Sequence, residues 1–94
     1  MYVYILYSKK IDKYYIGQTE LNVLKRLEQH NTFYFKNSFT KSGIPWVLYF
    51  EIACNTRKQA IEIENHIKRM KSRKFMENLT KYPLISQKML NKYG

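Results

Sequence analysis

The chain has 94 residues, enough for one domain with one modest core, so a two-domain architecture is excluded. Its 17 lysine and arginine residues against 7 acidic residues give a net charge of +10, which predicts a polyanionic partner: a nucleic acid, an anionic membrane or an acidic protein. Cys54 is the one cysteine, so an internal disulfide is excluded and a reducing, cytoplasmic location is expected. The longest apolar run, residues 1–7, is too short to span a membrane, and no membrane partner is expected.

The N-terminal residues predict a β-hairpin. Residues 2–7 are β-branched or aromatic on both alternating faces, which is typical of a strand covered on two sides. Residues 14–18 resume a strand pattern after a short polar linker, so the two strands are expected to pair antiparallel. Gly17 would lie near the end of the second strand, where glycine allows a bend or the close approach of another group.

A helix over residues 20–30 is expected next, with Thr19 as its N-cap. Three leucines at helical spacing predict its apolar stripe: Leu21, Leu24 and Leu27. Residues 31–45 have no clean periodicity and predict a long loop, which in a compact domain is often functional or mobile.

The second half of the chain predicts a third strand, over residues 46–53, and two helices. Thr56 and Gln59 match a capping box at the start of a helix over residues 57–71. The buried face of that helix is expected at four apolar positions: Ala60, Ile63, Ile67 and Met70. Ser72 would cap a further helix over residues 73–80, which Pro83 would end, and the structure of residues 84–94 stays open.

These elements predict an α+β fold, an α/β sandwich in which a small three-stranded antiparallel sheet is flanked by helices, in the order β-β-α-β-α-α. Residues 1–82 are expected to form the single domain and residues 83–94 a C-terminal tail.

Two tyrosines on the hairpin are the first candidates for a functional site. Tyr4 and Tyr15 lie on adjacent antiparallel strands, so their phenols could converge. The alternative is an amphipathic core, in which each ring is buried and its hydroxyl reaches the surface, and the strand pattern alone favours this alternative.

Arg26 and His30 are four positions apart and share one face of the first helix. A guanidinium beside a titratable ring suits phosphate contact and charge stabilisation, and a solvated helix face is the alternative. Glu64, at the edge of the core stripe of the second helix, could hold a divalent cation whose shell is completed by water and phosphate oxygens. Its alternative is an ordinary surface pair with Lys68.

A basic run follows Glu64. It contains five cations and no acidic residue: Lys68, Arg69, Lys71, Arg73 and Lys74. Such a run would neutralise backbone phosphates without reading bases, although a solvated charged face is about as well supported.

Taken together, residues 1 to about 80 resemble the GIY-YIG nuclease superfamily. The first signature tripeptide would be residues 2–4, Tyr-Val-Tyr, with tyrosine where the family usually has glycine, and the second is residues 15–17, Tyr-Ile-Gly, a full match. Residues 24–31 resemble the segment of the family that carries Arg-x-x-x-His, and residues 60–68 resemble its metal-binding helix, with Glu64 at the acidic position. The order and spacing of these motifs favour the functional interpretation of all five candidates.

The resemblance implies a divalent-metal-dependent endonuclease that hydrolyses DNA phosphodiester bonds, in duplex or branched DNA, with a structure-directed role in repair or recombination. Glu64 would hold one Mg²⁺ or Mn²⁺, Arg26 would bind the non-bridging oxygens, and Tyr4, helped by Tyr15 or His30, would deprotonate the attacking water. The short chain resembles the stand-alone bacterial branch, related to the N-terminal nuclease domain of the excinuclease of nucleotide-excision repair. Some members have a lysine after the second motif, where this chain has Gln18 and Thr19.

Three points stay open. Asn78 is a candidate for an asparagine that some family members carry after the metal helix. The alternative to an endonuclease is an inactive or weakly active nucleic-acid-binding module on the same scaffold, as the net charge suggests. A third hypothesis is a protein-interaction domain that presents the aromatic residues of the loop to a partner or a second copy of the chain: Phe33, Tyr34, Phe35 and Phe39.

Overall fold

A computed structural model of the protein describes residues 1–32 and 38–94, which form three strands and five helices. The elements in chain order are β1 (Tyr2–Ser8), β2 (Lys13–Thr19), α1 (Val23–Asn31), α2 (Ser38–Ser42), β3 (Trp46–Ala53), α3 (Arg57–Met70), α4 (Arg73–Lys81) and α5 (Pro83–Tyr93). The predicted α+β class is confirmed, with α2 and α5 added to the predicted order.

The sheet has the order β2-β1-β3, and both pairings are antiparallel. Strand β1 is therefore central and covered on both faces, as its apolar alternation predicts. The β1–β3 register shifts between Ile5 and Leu6, so that Tyr49 is an extra residue on β3. Because of this bulge, Trp46 and Ile52, both at even positions, lie on opposite faces of the sheet.

Two cores cover these faces. The smaller core packs α1 on the sheet, and its buried residues are Tyr4, Leu6, Val23 and Trp46. The larger core packs α3, α4 and α5 on the other face, and its buried residues are Val3, Ile5, Ile52, Ala60, Ile63, Ile67, Met76, Leu79 and Met89. The predicted hairpin thus separates two apolar layers.

Helix α1 differs from its prediction in its start and its buried face. Its N-cap is Asn22, whose side chain accepts the Leu24 N–H at 2.8 Å, because Thr19 still belongs to β2. The predicted leucine stripe is wrong at two positions, because Leu21 precedes the helix and is 44% exposed and Leu24 is 63% exposed, whereas Leu27 packs against the smaller core. The buried positions are Val23 and His30 instead.

The loop expected over residues 31–45 contains the short helix α2. Helix α1 is joined to β3 through Asn31, whose side chain donates to the Trp46 carbonyl at 2.9 Å and accepts the Trp46 N–H at 2.6 Å. The Trp46 indole N–H donates to the Thr40 carbonyl at 2.8 Å, which fastens α2 to the same residue. Three residues of the aromatic patch predicted for this loop lie outside the described residues, namely Phe33, Tyr34 and Phe35, and Phe39 lies in α2.

Helix α3 begins as predicted, since the Thr56 hydroxyl accepts the Gln59 N–H at 3.1 Å. It ends at Met70 because Lys71 adopts a left-handed conformation with φ 46°. The apolar spacing predicts Met70 on the buried face, but in this last turn it is 44% exposed.

The C-terminal residues, left open by the sequence, form α5, which begins with Pro83 in its first turn. Ser72 caps α4 as predicted, accepting the Phe75 N–H at 3.1 Å. Buried Gln59 donates to the Leu90 carbonyl at 3.0 Å, so α5 is fastened to the start of α3. In the described part of the chain, no helix combines the length and apolar character needed to cross a membrane.

Candidate active site

The site is organised around Tyr4, which lies on the central strand and is 3% exposed. Its partner across the β1–β2 ladder is Gly17. A Cβ atom at Gly17 would lie 2.6 Å from the Tyr4 hydroxyl oxygen and 2.7 Å from Cζ, closer than any side chain allows. The phenol therefore lies directly across the bare backbone of β2, which is the close approach that the sequence suggested for Gly17.

The Tyr4 ring contacts two further rings, those of His30 and Tyr15. The Tyr4 hydroxyl and His30 Nε2 are 3.1 Å apart, in a buried hydrogen bond. Tyr15 lies diagonally across the hairpin, with its ring centroid 6.3 Å from that of Tyr4 and 4.6 Å from that of His30. The structure thus brings together the two predicted tyrosines and the predicted histidine, the last from the C-terminal turn of α1.

Burial controls the protonation of these rings. Desolvation raises the pKa of Tyr4 well above its ordinary value of 10.0, and Tyr15 and Glu64 add to this, while Arg26 opposes it. The same burial lowers the pKa of His30 from 6.5 to about 4, with a further contribution from Arg26. At pH 7 the pair is accordingly a neutral phenol hydrogen-bonded to a neutral imidazole.

Two neutral side chains help to hold Arg26. Its Nε donates to the Thr19 hydroxyl at 3.1 Å, and Nη1 donates to the Gln29 amide oxygen at 3.2 Å. Thr19 also accepts the Leu21 N–H at 2.9 Å, so its hydroxyl is fixed. Neither support is predicted from the sequence: the pattern assigns Thr19 as a helix cap, and the one signal for Gln29 is its place three positions after Arg26 on the same helix.

Glu64 comes to this cluster from α3, which packs on β2. Its side chain is 15% exposed, and its charge raises the pKa of Tyr15, second only to burial. Lys68 Nζ lies 3.4 Å from Glu64 Oε2, so the surface pair that the sequence offers as an alternative is present as well. The five predicted residues therefore lie in one electrostatic neighbourhood at the β2 edge of the sheet.

The basic run is divided among different contacts. Arg69 donates to the Tyr93 hydroxyl at 3.4 Å. Arg73 donates to Asp12 Oδ1 at 3.0 Å and to the Asp12 carbonyl at 3.2 Å, which fastens the β1–β2 turn to α4. Lys71 and Lys74 are exposed. Arg73 therefore stabilises the fold, in addition to any role in binding nucleic acid.

The donor chemistry fits a magnesium-type cation. Among residues 1–32 and 38–94, no three His, Cys, Asp or Glu side chains come together as a metal-binding group. A single carboxylate such as Glu64 suits Mg²⁺ or Mn²⁺, because these hard cations retain several waters and bind phosphate oxygens. The same donor set does not suit a structural zinc site. Asn78 lies on α4, where its carbonyl accepts the Tyr82 N–H at 2.9 Å, and it stays a candidate only.

In a comparison with family models, the model described as the GIY-YIG catalytic domain matches residues 1–78. The matched segment contains the whole sheet, α1, α3 and most of α4. Neither the comparison with curated proteins nor that with solved structures finds a match.

Substitution of Gly17 by alanine should displace the Tyr4 ring, because the new Cβ would overlap the phenol. We expect the Tyr4–His30 hydrogen bond to break and the free energy of unfolding to fall by roughly 1–3 kcal/mol. Measurement of the His30 ring resonances by NMR, together with urea unfolding, checks this. The matched control is Gln18→Ala on the same strand, and unchanged His30 resonances in Gly17→Ala would contradict the packing described.

The low pKa of His30 predicts a pH-dependent stability. The unfolded chain binds a proton near pH 6.5 but the folded protein only near pH 4, so the free energy of unfolding should fall as the pH drops through this window, by about 3 kcal/mol from His30 alone. Urea unfolding at successive pH values measures it. His30→Gln should flatten this part of the profile more than His66→Gln does, because burial lowers the pKa of His66 as well but the larger shift is that of His30. Equal profiles for wild type and His30→Gln would show that His30 is not protected.

Proposed function

The chain belongs to the GIY-YIG catalytic domain family, and on that premise we propose that it is a divalent-metal-dependent endonuclease that hydrolyses DNA phosphodiester bonds. The observation that carries the proposal is the buried Tyr4–His30 pair beside Arg26 and Glu64. The family is one of nucleases, and the resemblance drawn from the two tripeptides is confirmed at that level. The closer likeness to the excinuclease of nucleotide-excision repair stays a prediction.

Arg26 would bind the non-bridging oxygens of the scissile phosphate. Thr19 and Gln29 each accept one of its N–H groups, so the guanidinium is oriented before substrate arrives. A preoriented donor avoids the cost of reorganisation when charge develops on the phosphate. Both of these supports are uncharged, so they orient the guanidinium without neutralising it.

Tyr4 would pass a proton from the attacking water to His30. Its raised pKa disfavours a standing phenolate, but a phenol can accept the proton of the water at Oη while it releases its own proton to His30 Nε2. His30 is neutral at pH 7 and can receive that proton. The negative charge of a bound phosphate would raise the pKa of His30 and make it a better acceptor. Tyr15 would complete the wall that excludes other water.

Glu64 would hold the Mg²⁺ or Mn²⁺ ion, with water and phosphate oxygens as the other ligands. When bound, such an ion stabilises the leaving oxygen and the charge on the phosphate. Lys68 now neutralises part of the Glu64 charge, and its exposed side chain can turn to a substrate phosphate when a cation takes its place.

The basic run would hold the DNA backbone. Lys71 and Lys74 are exposed, whereas Lys68, Arg69 and Arg73 would first have to share or leave their protein contacts. Phosphate contacts of this kind give affinity without sequence specificity. We accordingly propose a structure-directed role, in repair or recombination in the cytoplasm, with target choice by DNA shape, a protein partner or a second copy of the chain.

Loss of the Glu64 carboxylate should abolish cleavage. Glu64→Ala is expected to nick plasmid, fork-like and single-stranded DNA in Mn²⁺ at least about 100-fold more slowly than wild type, because the cation would lose its protein ligand. Glu62→Ala, on the same helix, serves as the matched control and should keep most of the activity. Wild type that binds DNA but nicks none of these substrates would favour the alternative, a binding module without turnover.

Neutralising Lys71 and Lys74 together should weaken DNA binding uniformly across sequences. The slope of log affinity against log salt should fall by up to about 2, one unit for each phosphate that the variant no longer neutralises. Fluorescence anisotropy with a labelled duplex, over a series of salt concentrations in EDTA, measures this slope. The control is Lys9→Gln with Lys10→Gln, which removes the same charge at the exposed β1–β2 turn. If both double variants lowered the salt slope equally, the loss would reflect net charge alone, and the proposal that Lys71 and Lys74 contact the DNA backbone would be wrong.

A further inference from the structure

A cavity of about 240 Å³ opens beside the candidate active site, at the end of β2. Six residues line it: Gln18, Thr19, Glu20, Leu21, Arg26 and Arg57. Arg26 and Thr19 belong to the cluster already described, so the cavity is continuous with it. Arg57 has no part in that cluster.

The charge of the cavity favours an anion. Arg26 and Arg57 contribute two guanidinium groups to its wall, against one carboxylate, from Glu20. Arg57 is also the first residue of α3, a helix of 14 residues, whose positive dipole end adds to the field. Guanidinium groups match phosphate oxygens with paired hydrogen bonds, so the cavity is chemically suited to a phosphate group.

Helix geometry relates this cavity to the proposed metal ligand. Arg57 and Glu64 are seven positions apart, nearly two full turns, so they lie on the same face of α3 with a rise of roughly 10.5 Å between them. Lys68 follows on that face, within contact of Glu64. This face of α3 therefore carries Arg57 on one side of Glu64 and Lys68 on the other. The three side chains lie in a row along the helix, and the phosphates of one nucleic-acid strand can contact such a row.

We propose that Arg57, across the cavity from Arg26, binds a phosphate of the substrate strand that flanks the scissile phosphate, while Arg26 binds the scissile phosphate itself. Arg57 is thus a substrate-binding residue that sets the register of the strand along α3. This inference rests on the proposed function, because it takes the substrate to be a phosphodiester chain.

Lys58 is the matched control for Arg57. It is the next residue on α3 and is also exposed, but it is absent from the lining of the cavity. Its loss removes the same charge at the same end of the same helix. A difference between Arg57→Gln and Lys58→Gln therefore reports the cavity and not the net charge.

The experiment measures two quantities for wild type, Arg57→Gln, Arg57→Lys and Lys58→Gln: binding of a labelled DNA duplex in EDTA over a salt series, and KM and kcat for nicking in Mn²⁺. We expect Arg57→Gln to weaken binding about tenfold, to lower the salt slope by about 1 and to raise KM with kcat little changed. Arg57→Lys should recover part of the affinity, since it keeps the charge but loses the forked donors. Lys58→Gln should change binding less than about threefold.

The inference is overturned if Arg57→Gln binds and cleaves as wild type does, or if Lys58→Gln loses as much affinity as Arg57→Gln. The two proposals fail separately. If the wild type binds DNA through Arg57 but never nicks it, the inference about Arg57 stands and the proposed endonuclease activity is wrong. Wild type that nicks DNA with no dependence on Arg57 retains the endonuclease and loses the inference. Wild type that neither binds nor nicks DNA loses both.

Discussion

The contact on which the site depends is the cross-strand pair of Tyr4 and Gly17. Because Gly17 has no side chain, the Tyr4 phenol lies directly against the backbone of β2 and its hydroxyl reaches His30 on α1. This pair depends on the register of the hairpin, on the orientation of α1 and on the burial of the Tyr4 ring. The two tripeptides that carry the family resemblance are therefore one physical unit, in which the last residue of the second makes room for the last residue of the first.

Much of the fold could be predicted because its signals are local. The hairpin and α3 follow from alternation and a capping pattern within a few residues, and each agrees closely with the structure. The start of α1 could not be read in this way, since Thr19 and Asn22 are both good caps and only the length of β2 decides between them. Helix α5 could not be predicted because its contacts, such as the one between Gln59 and Leu90, come from distant parts of the chain.

The candidate site shows the same division. Hairpin geometry makes the convergence of Tyr4 and Tyr15 possible, and helical spacing places Arg26 and His30 on one face of α1, but only the family resemblance brings the two pairs into one site. The protonation of the rings could not be predicted, because the pKa of His30 depends on its burial against the sheet. Nor could the supports of Arg26 be found, since Thr19 is a strand residue that becomes its acceptor only when α1 packs beside β2.

The contact between Arg73 and Asp12 has a consequence for the order of folding. It joins residues 61 positions apart, and closing so long a loop costs more entropy than forming the hairpin, whose strands are joined by four residues. The tyrosines can therefore assemble early, while Glu64 reaches them only when α3 and α4 dock. During synthesis we expect the emerging chain to carry four of the five candidate site residues before α3 has left the ribosome, so that the candidate site is completed only when Glu64 docks.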